Sequence, residues 1–208
     1  MGAYPNVDRK YKRNRRFVNS KGFVDYMIAN IPEGSQFRIH VSGDFFSVEY
    51  VKKWIEIVTA RPDVTFYAYT RSWREWELWE HIRYLHFEHD NVTVNLSVDD
   101  ETGSPLSMGY DKYWFRQMRW AYLTKTDNVP DWIRTDRDDV VFRSNSSGHK
   151  IRRANAKKKG LNPDDVAPLV KRLGARVCVV EQGQKIPGMT CKKCSLCVDK
   201  PKVPANAM

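Results

Sequence analysis

The sequence predicts an α/β fold: a mainly parallel sheet with crossover helices, similar to part of a βα barrel, followed by an irregular cysteine-rich tail. Three observations carry this expectation. Strand-like and helix-like runs alternate through the middle of the chain. The strand-like runs begin at Phe37, Val64 and Val92, 27 and 28 positions apart, a spacing that leaves room for one helix and two short connections. All four cysteines lie at or beyond Cys178 in a chain of 208 residues. Residues 1–180 are expected to form the α/β domain with a basic N-terminal arm, and residues 181–208 a metal-binding tail packed on the same domain.

Residues 1–19 are polar and basic with little periodicity, and read as an arm or an irregular entry. Phe23 to Ile31 reads as a short helix ending before Pro32. Phe37-Arg38-Ile39-His40-Val41 reads as the first strand, broken by Ser42-Gly43-Asp44. Ser47 then has the chemistry of an N-cap, because its hydroxyl can accept from an amide of the first turn. Val51, Trp54, Ile55 and Val58 follow at helical spacing, with Pro62 just past the end. Val64 to Tyr69 is the second strand. Ser72 and Glu75 have the spacing of a capping box, which opens a helix to about Leu85. Val92 to Ser97 is the third strand. Beyond it, Tyr113 to Leu123 reads as helical. Asn162-Pro163-Asp164-Asp165 starts a helix that Gly174 closes. Arg176 to Val180 is a final strand before the tail.

Hydrophobic residues make up 41% of the chain, including seven Trp, ten Tyr and nine Phe, enough for an aromatic-rich core and unlike a disordered chain. No apolar run approaches the ~20 residues that cross a bilayer, and no charged-then-apolar signal segment opens the chain. The cytoplasm is the expected compartment, without membrane association.

The cysteines follow the pattern C-x12-C-x2-C-x2-C through Cys178, Cys191, Cys194 and Cys197. Clustering of this kind favours metal over a disulfide framework, whose cysteines spread to staple distant loops. Zinc sites usually pair two separated C-x2-C knuckles. Three thiolates from one short loop plus one remote thiolate suit an iron–sulfur cluster, with one ligand per iron. A [4Fe-4S] cluster is the expected cofactor, with zinc as the alternative. Gly188 and Ser195 could offer backbone amides to the sulfides, and Lys192 and Lys193 would favour the thiolates. Cys178 also fits a buried free cysteine in an apolar strand.

The strand ends offer a second candidate. Ligands of parallel sheets gather at the carboxyl ends of the strands. Here those ends carry Ser42, Gly43 and Asp44, then Thr70, Arg71 and Ser72, then Asn95, Ser97, Asp99 and Asp100. Asp44, Arg71 and Asn95 are the candidate catalytic residues, expected to face one pocket. Helix capping alone would also explain Ser42, Asp44 and Ser72. The formal net charge of +10 invites nucleic acid. It gathers at Arg9, Lys10, Lys12, Arg13, Arg15 and Arg16, and again at Lys150, Arg152, Arg153, Lys157, Lys158 and Lys159. Arg13, Arg15, Arg16, Lys157, Lys158 and Lys159 are the candidate nucleic-acid contacts, and a solvated basic surface is the plain alternative. The histidines show no metal-ligand spacing, and no P-loop or dinucleotide fingerprint occurs.

The run from Phe37 through Gly43-Asp44-Phe45-Phe46-Ser47, the segment Phe66-Tyr67-Ala68-Tyr69-Thr70-Arg71-Ser72, the segment Val94-Asn95-Leu96-Ser97-Val98-Asp99 and the cysteine tail together resemble the phage gene product eighty-eight family, over roughly residues 4 to 199. Members often carry a further cysteine motif upstream of a Gly-x-Tyr segment like Gly2-Ala3-Tyr4, and no cysteine precedes Cys178 here. The resemblance implies a phage or prophage protein acting in the host bacterial cytoplasm and supplies no reaction. The element order is also similar to the partial barrel of radical SAM enzymes, which place three cysteines after the first strand. This chain has none there. The sequence thus points first to a phage-type iron–sulfur protein whose cluster is redox-active or structural. A nucleic-acid-binding protein with a structural metal, or an enzyme using the strand-end pocket, are the alternatives. The expected partners are nucleic acid or a host redox or polymerase protein.

Overall fold

The computed structural model describes residues 5–41, 43–124, 129–134, 138–143, 176–177, 195 and 197–201. Six strands form one sheet in sequence order, every neighbouring pair parallel. They are β1 (Gln36–Arg38), β2 (Thr65–Thr70), β3 (Val92–Val98), β4 (Trp120–Thr124), β5 (Val140–Arg143) and β6 (Arg176–Val177). The helices are α1 (Pro5–Val18), α2 (Phe23–Asn30), α3 (Val48–Ala60), α4 (Trp76–Phe87) and α5 (Lys112–Gln117). Parallel strands laid down in sequence order by crossovers of one hand leave their helices on one face, and α3 packs between α2 and α4. The parallel α/β architecture expected from the sequence is the one observed.

Alternation along β2 separates the two faces. Phe66, Ala68 and Thr70 are buried while Tyr67 and Tyr69 are half-buried. Phe66 and Ala68 join Trp54, Ile57, Val58, Trp79 and Ile82 in the helix-side core. The sheet curls away from the helices. Tyr69 on β2 and Phe142 on β5 are three strand intervals apart, ~14 Å on a flat sheet, yet their rings meet edge to face at 5.5 Å. Tyr69 also lies beneath the Arg38 guanidinium of β1 at 4.9 Å. The result is a half-barrel with helices outside and a concave inner face.

Three local expectations differ from the fold. Residues 5–18 are helical, not irregular. Pro5 suits a first turn, and the Lys and Arg that follow are good helix formers. Phe17 docks on Phe23 and Tyr26 at 5.6 and 5.0 Å, and the Lys53 ammonium donates to the terminal Val18 carbonyl at 2.7 Å. Ser72 does not cap α4. It is buried and donates to the Phe45 carbonyl at 2.6 Å, so a 3-10 turn, Ser72–Arg74, precedes the helix. The segment Tyr113–Leu123 is split. Helix ends at Gln117, Met118 is extended and Trp120 opens β4, because the Trp120 amide is taken by the buried Asp139 carboxylate at 2.8 Å. The helix expected from Asn162 lies outside the described residues.

Candidate functional site

The strand-end cluster begins at Gly43, whose φ of 87° suits glycine. It turns the chain after β1 and delivers Asp44 to the end of β2. The Asp44 carboxylate accepts from the Phe45 amide (2.8 Å), the Thr70 hydroxyl (2.6 Å) and the Arg71 amide (2.6 Å). Arg71 turns its guanidinium to Asp99 at the end of β3. Asp99 is 4% exposed and also accepts from the Glu101 and Thr102 amides at 3.1 and 2.9 Å. Burial alone would raise the Asp99 carboxyl, but the Thr102 amide and the Arg71 charge outweigh it and hold it below the usual carboxylate range. Beside it, the Tyr122 hydroxyl donates to Asp100, and burial followed by that bond pushes the phenol up. The cluster is thus one ion pair and a set of hydrogen bonds to carboxylates that tie the segments after β1, β2 and β3 to one another and to Tyr122 of β4.

Asn95 is elsewhere. It is fully buried in the middle of β3, on the concave face. Asp44 lines a groove of about 750 Å³ between α1 and the end of β1, together with Arg15, His40, Phe46 and Tyr50, and neither Arg71 nor Asn95 lines it. The three candidate catalytic residues therefore divide: Asp44 binds the backbone of Arg71, and Asn95 belongs to a second constellation.

That second constellation contains the tail. β3 is buried along nearly its whole length on both faces. Helices cover one face, and residues 197–199 cross the other. The Asn95 amide donates to the Ala68 carbonyl at 3.1 Å and to the Cys197 carbonyl at 3.0 Å. Thr93 donates to the Val198 carbonyl. Arg119, immediately before β4, donates to the Asp199 carbonyl at 2.8 Å and to the Asn95 oxygen at 3.2 Å. The Ser195 hydroxyl donates to the Asp199 carboxylate at 2.6 Å. Cys197 is half-buried on this face. Burial pulls the Arg119 guanidinium below its ordinary value, and Cys197 is the foremost group opposing that pull.

Cys178, Cys191 and Cys194 lie outside the described residues, as do Lys157, Lys158 and Lys159. Among the described residues no group of three or more His, Cys, Asp or Glu is placed to hold a metal. Strand β6 ends at Val177, which the ladder sets level with Val98 through Val141 and Tyr122. Arg13, Arg15 and Arg16 are exposed on α1. Sequence reasoning missed Thr93 and Arg119. Arg119 stood inside an expected helix, and only its place before a strand puts it on the concave face.

Comparison with known proteins matches this architecture to no solved structure. Two curated relatives are each named Gene 88 protein. The one from Mycobacterium phage L5 is 41% identical over 66 residues, 31% of this chain and 25% of that protein. The one from Mycobacterium phage D29 is 54% identical over 35 residues, 17% of this chain and 15% of that protein. The alignments thus span a quarter or less of either relative. The family model described as Gene product 88 matches residues 1–200, which takes in the half-barrel and all four cysteines, and on that match the chain belongs to the Gene product 88 family.

Proposed function

We propose that this protein is a phage-type iron–sulfur protein whose four cysteines hold a cluster against the concave face of the half-barrel. One observation carries the reading. Three consecutive carbonyls, of Cys197, Val198 and Asp199, are each held by a side chain of the inner sheet face. Residues 197–199 of the tail are therefore held against the inner face of the sheet. Cys197, one of the four cysteines, is thereby seated on the concave face. The spacing of three cysteines within seven residues favours a cluster over a single zinc. When bound, the cluster would supply electron transfer or a structural clamp. The chain's own part is to seat Cys197 through Asn95. The setting we propose is the host bacterial cytoplasm, where thiols stay reduced.

The test is the composition of full-length protein purified without oxygen. Iron and acid-labile sulfide are expected in comparable amounts, with visible absorption and little zinc. Replacing Cys197 by Ser is expected to lower the iron content and to expose the tail to protease, since metal and tail fold together. Colourless protein with one zinc per chain would refute the cluster. A second reading rests on the exposed Arg13, Arg15 and Arg16 of α1: nucleic-acid binding, with the metal fixing the tail. Salt-sensitive binding of an oligonucleotide, weakened by charge removal on α1, would favour it. A catalytic pocket at the strand ends has less support, because Asp44 is occupied with backbone amides and a hydroxyl.

A further inference from the structure

The groove between α1 and the end of β1 has two polar atoms in its walls that the fold leaves unmatched. It measures about 750 Å³, within the range of pockets that take small organic ligands. It lies past the carboxyl end of a strand, where ligands of parallel sheets gather. His40 and Trp54 line it and are 7% and 2% exposed. His40 Nδ1 and Trp54 Nε1 are both buried without a hydrogen-bond partner. Leaving such atoms unmatched is costly and uncommon in folded proteins. The other imidazole nitrogen, Nε2, lies 3.1 Å from the Tyr50 hydroxyl. Burial pulls His40 to about 4, so the ring is neutral at pH 7, and its Nδ1 donates or accepts according to the tautomer.

The rest of the groove suits a flat ring that carries negative charge. Phe46 lines it while 42% exposed, stacked on Tyr50 at 4.6 Å and 20°. The Arg15 guanidinium lies 5.6 Å from the Phe46 centroid. Aromatic and guanidinium planes are the surfaces on which unpaired bases stack. Two arginines, Arg15 and Arg38, and one carboxylate, Asp44, line the groove. The Asp44 oxygens are engaged by the Phe45 and Arg71 amides and the Thr70 hydroxyl, whereas both arginines are exposed. Arg13 and Arg16, within one turn of Arg15 on α1, are exposed as well and extend the positive charge beyond the groove. A base with a hydrogen-bonding edge and a phosphate matches all of these features. An aliphatic anion would leave the ring face unused, and a neutral arene would leave the arginines unused.

We propose that this groove binds one unpaired nucleoside phosphate unit, its base stacked at Phe46 with its polar edge toward His40 and Trp54, and its phosphate at Arg15 with Arg38 adding positive charge. The unit is a free nucleotide, or one nucleotide of a single strand whose further phosphates follow Arg13 and Arg16. His40 Nδ1 and Trp54 Nε1 are closed to solvent, so the base reaches them through side-chain shifts in the groove wall, a common change on binding. None of the described tail residues lines the groove, so the site is separate from the cysteine-held centre. It deepens the reading of α1 as a nucleic-acid contact and rests on that reading for the phosphates outside the groove.

The experiment titrates the full-length protein with thymidine monophosphate, phenyl phosphate, a single-stranded oligothymidylate, an abasic strand of the same length and a duplex. The parent is compared with Phe46→Ala, Arg15→Gln and Arg16→Gln, each first checked for a parental urea midpoint. Phe46→Ala is expected to weaken binding of the nucleotide and the single strand about tenfold, and to leave the abasic strand unchanged. Arg15→Gln is expected to weaken the nucleotide severalfold. Arg16→Gln removes the same charge outside the groove and is expected to leave the nucleotide unchanged. A strand that binds far more tightly than the nucleotide identifies single-stranded nucleic acid as the source, and equal affinities identify the free nucleotide. A parent that binds neither would overturn the proposal. Phenyl phosphate binding as tightly as the nucleotide would overturn it too, because the polar edge of the base would then go unread. Equal binding of single, abasic and duplex strands, unmoved by Phe46→Ala but weakened by Arg16→Gln, would overturn the groove and leave the nucleic-acid reading of α1 standing.

Discussion

The Asp44 carboxylate accepts three hydrogen bonds, two from backbone amides and one from the Thr70 hydroxyl. Charge-assisted bonds of this kind are the strong ones, and removing their acceptor leaves donors unmatched in a half-buried site. Asp44→Ala is therefore expected to lower stability by about 1–3 kcal/mol, read as a lower urea midpoint with an unchanged slope. An unaltered midpoint would mean that the Thr70 hydroxyl and Arg71 amide find water at no cost. The sequence marked Asp44, Arg71 and Asn95 together because all three follow or fall within strands near the active end of a parallel sheet. What it could not show was the pleat. Asn95 precedes the end of β3 by three residues and faces inward, whereas Asp99, which does reach the rim, is the group that pairs with Arg71. Partner choice among polar residues depends on register and depth along the strand, and neither is written locally.

At the scale of elements, local chemistry was legible wherever it decided the outcome. Ser47 has extended backbone angles, φ −158° and ψ 157°, and its hydroxyl accepts from the Tyr50 amide at 3.2 Å. Val51, Trp54 and Val58 then bury the face that the helical period had marked. Ser47→Ala is expected to cost about 1 kcal/mol, and Ser47→Asp to recover most of it, both measured by urea unfolding. No recovery by Asp would show that the hydroxyl acts other than as a cap. Where distant partners decide, the pattern misled. Ser72 and Glu75 have the spacing of a capping box, but the Ser72 hydroxyl is drawn to the Phe45 carbonyl from 27 positions earlier. The break between α5 and β4 carries no Gly or Pro, and the Asp139 carboxylate fixes it from 19 positions later. Helix α1 went unrecognised because its cationic residues hide a sparse apolar edge whose partners, Phe23 and Tyr26, belong to α2.

For the molecule as a whole, two buried histidines make stability depend on pH. His86 is 1% exposed and its Nδ1 accepts from the Val94 amide at 3.0 Å. Burial, with Lys200 and Arg119 nearby, pulls it from 6.5 to about 3. Burial likewise pulls His40 from 6.5 to about 4, with Asp44 opposing and Arg38 assisting. Between the folded and unfolded values the unfolded chain binds more protons, so stability is complete above pH 6.5 and declines as pH falls. Each histidine contributes a slope of about 1.4 kcal/mol per pH unit until its folded value is reached. His86→Gln is expected to lose part of the difference between urea midpoints at pH 7 and pH 5, whatever its effect at either pH alone. An identical difference in parent and variant would assign the acid sensitivity to other groups. The parallel sheet itself was legible because hydrophobic periodicity marks faces and spacing marks crossovers. The curl was not, because it emerges from contacts such as Tyr69 with Phe142 between strands that are not neighbours.

The tail's hold on β3 also orders events during synthesis. Thr93 and Asn95 meet Val198 and Cys197 across 105 and 102 positions, so the ribosome must make more than a hundred further residues after β3 before the inner face can close. Until then that face of β3 stands open while α3 and α4 already cover the other. Thr93, Asn95 and Ser97 make the waiting surface hydrophilic, unlike the valines and leucine that alternate with them. A nascent half-barrel can therefore remain in water without presenting a sticky parallel strand to its neighbours on the polysome.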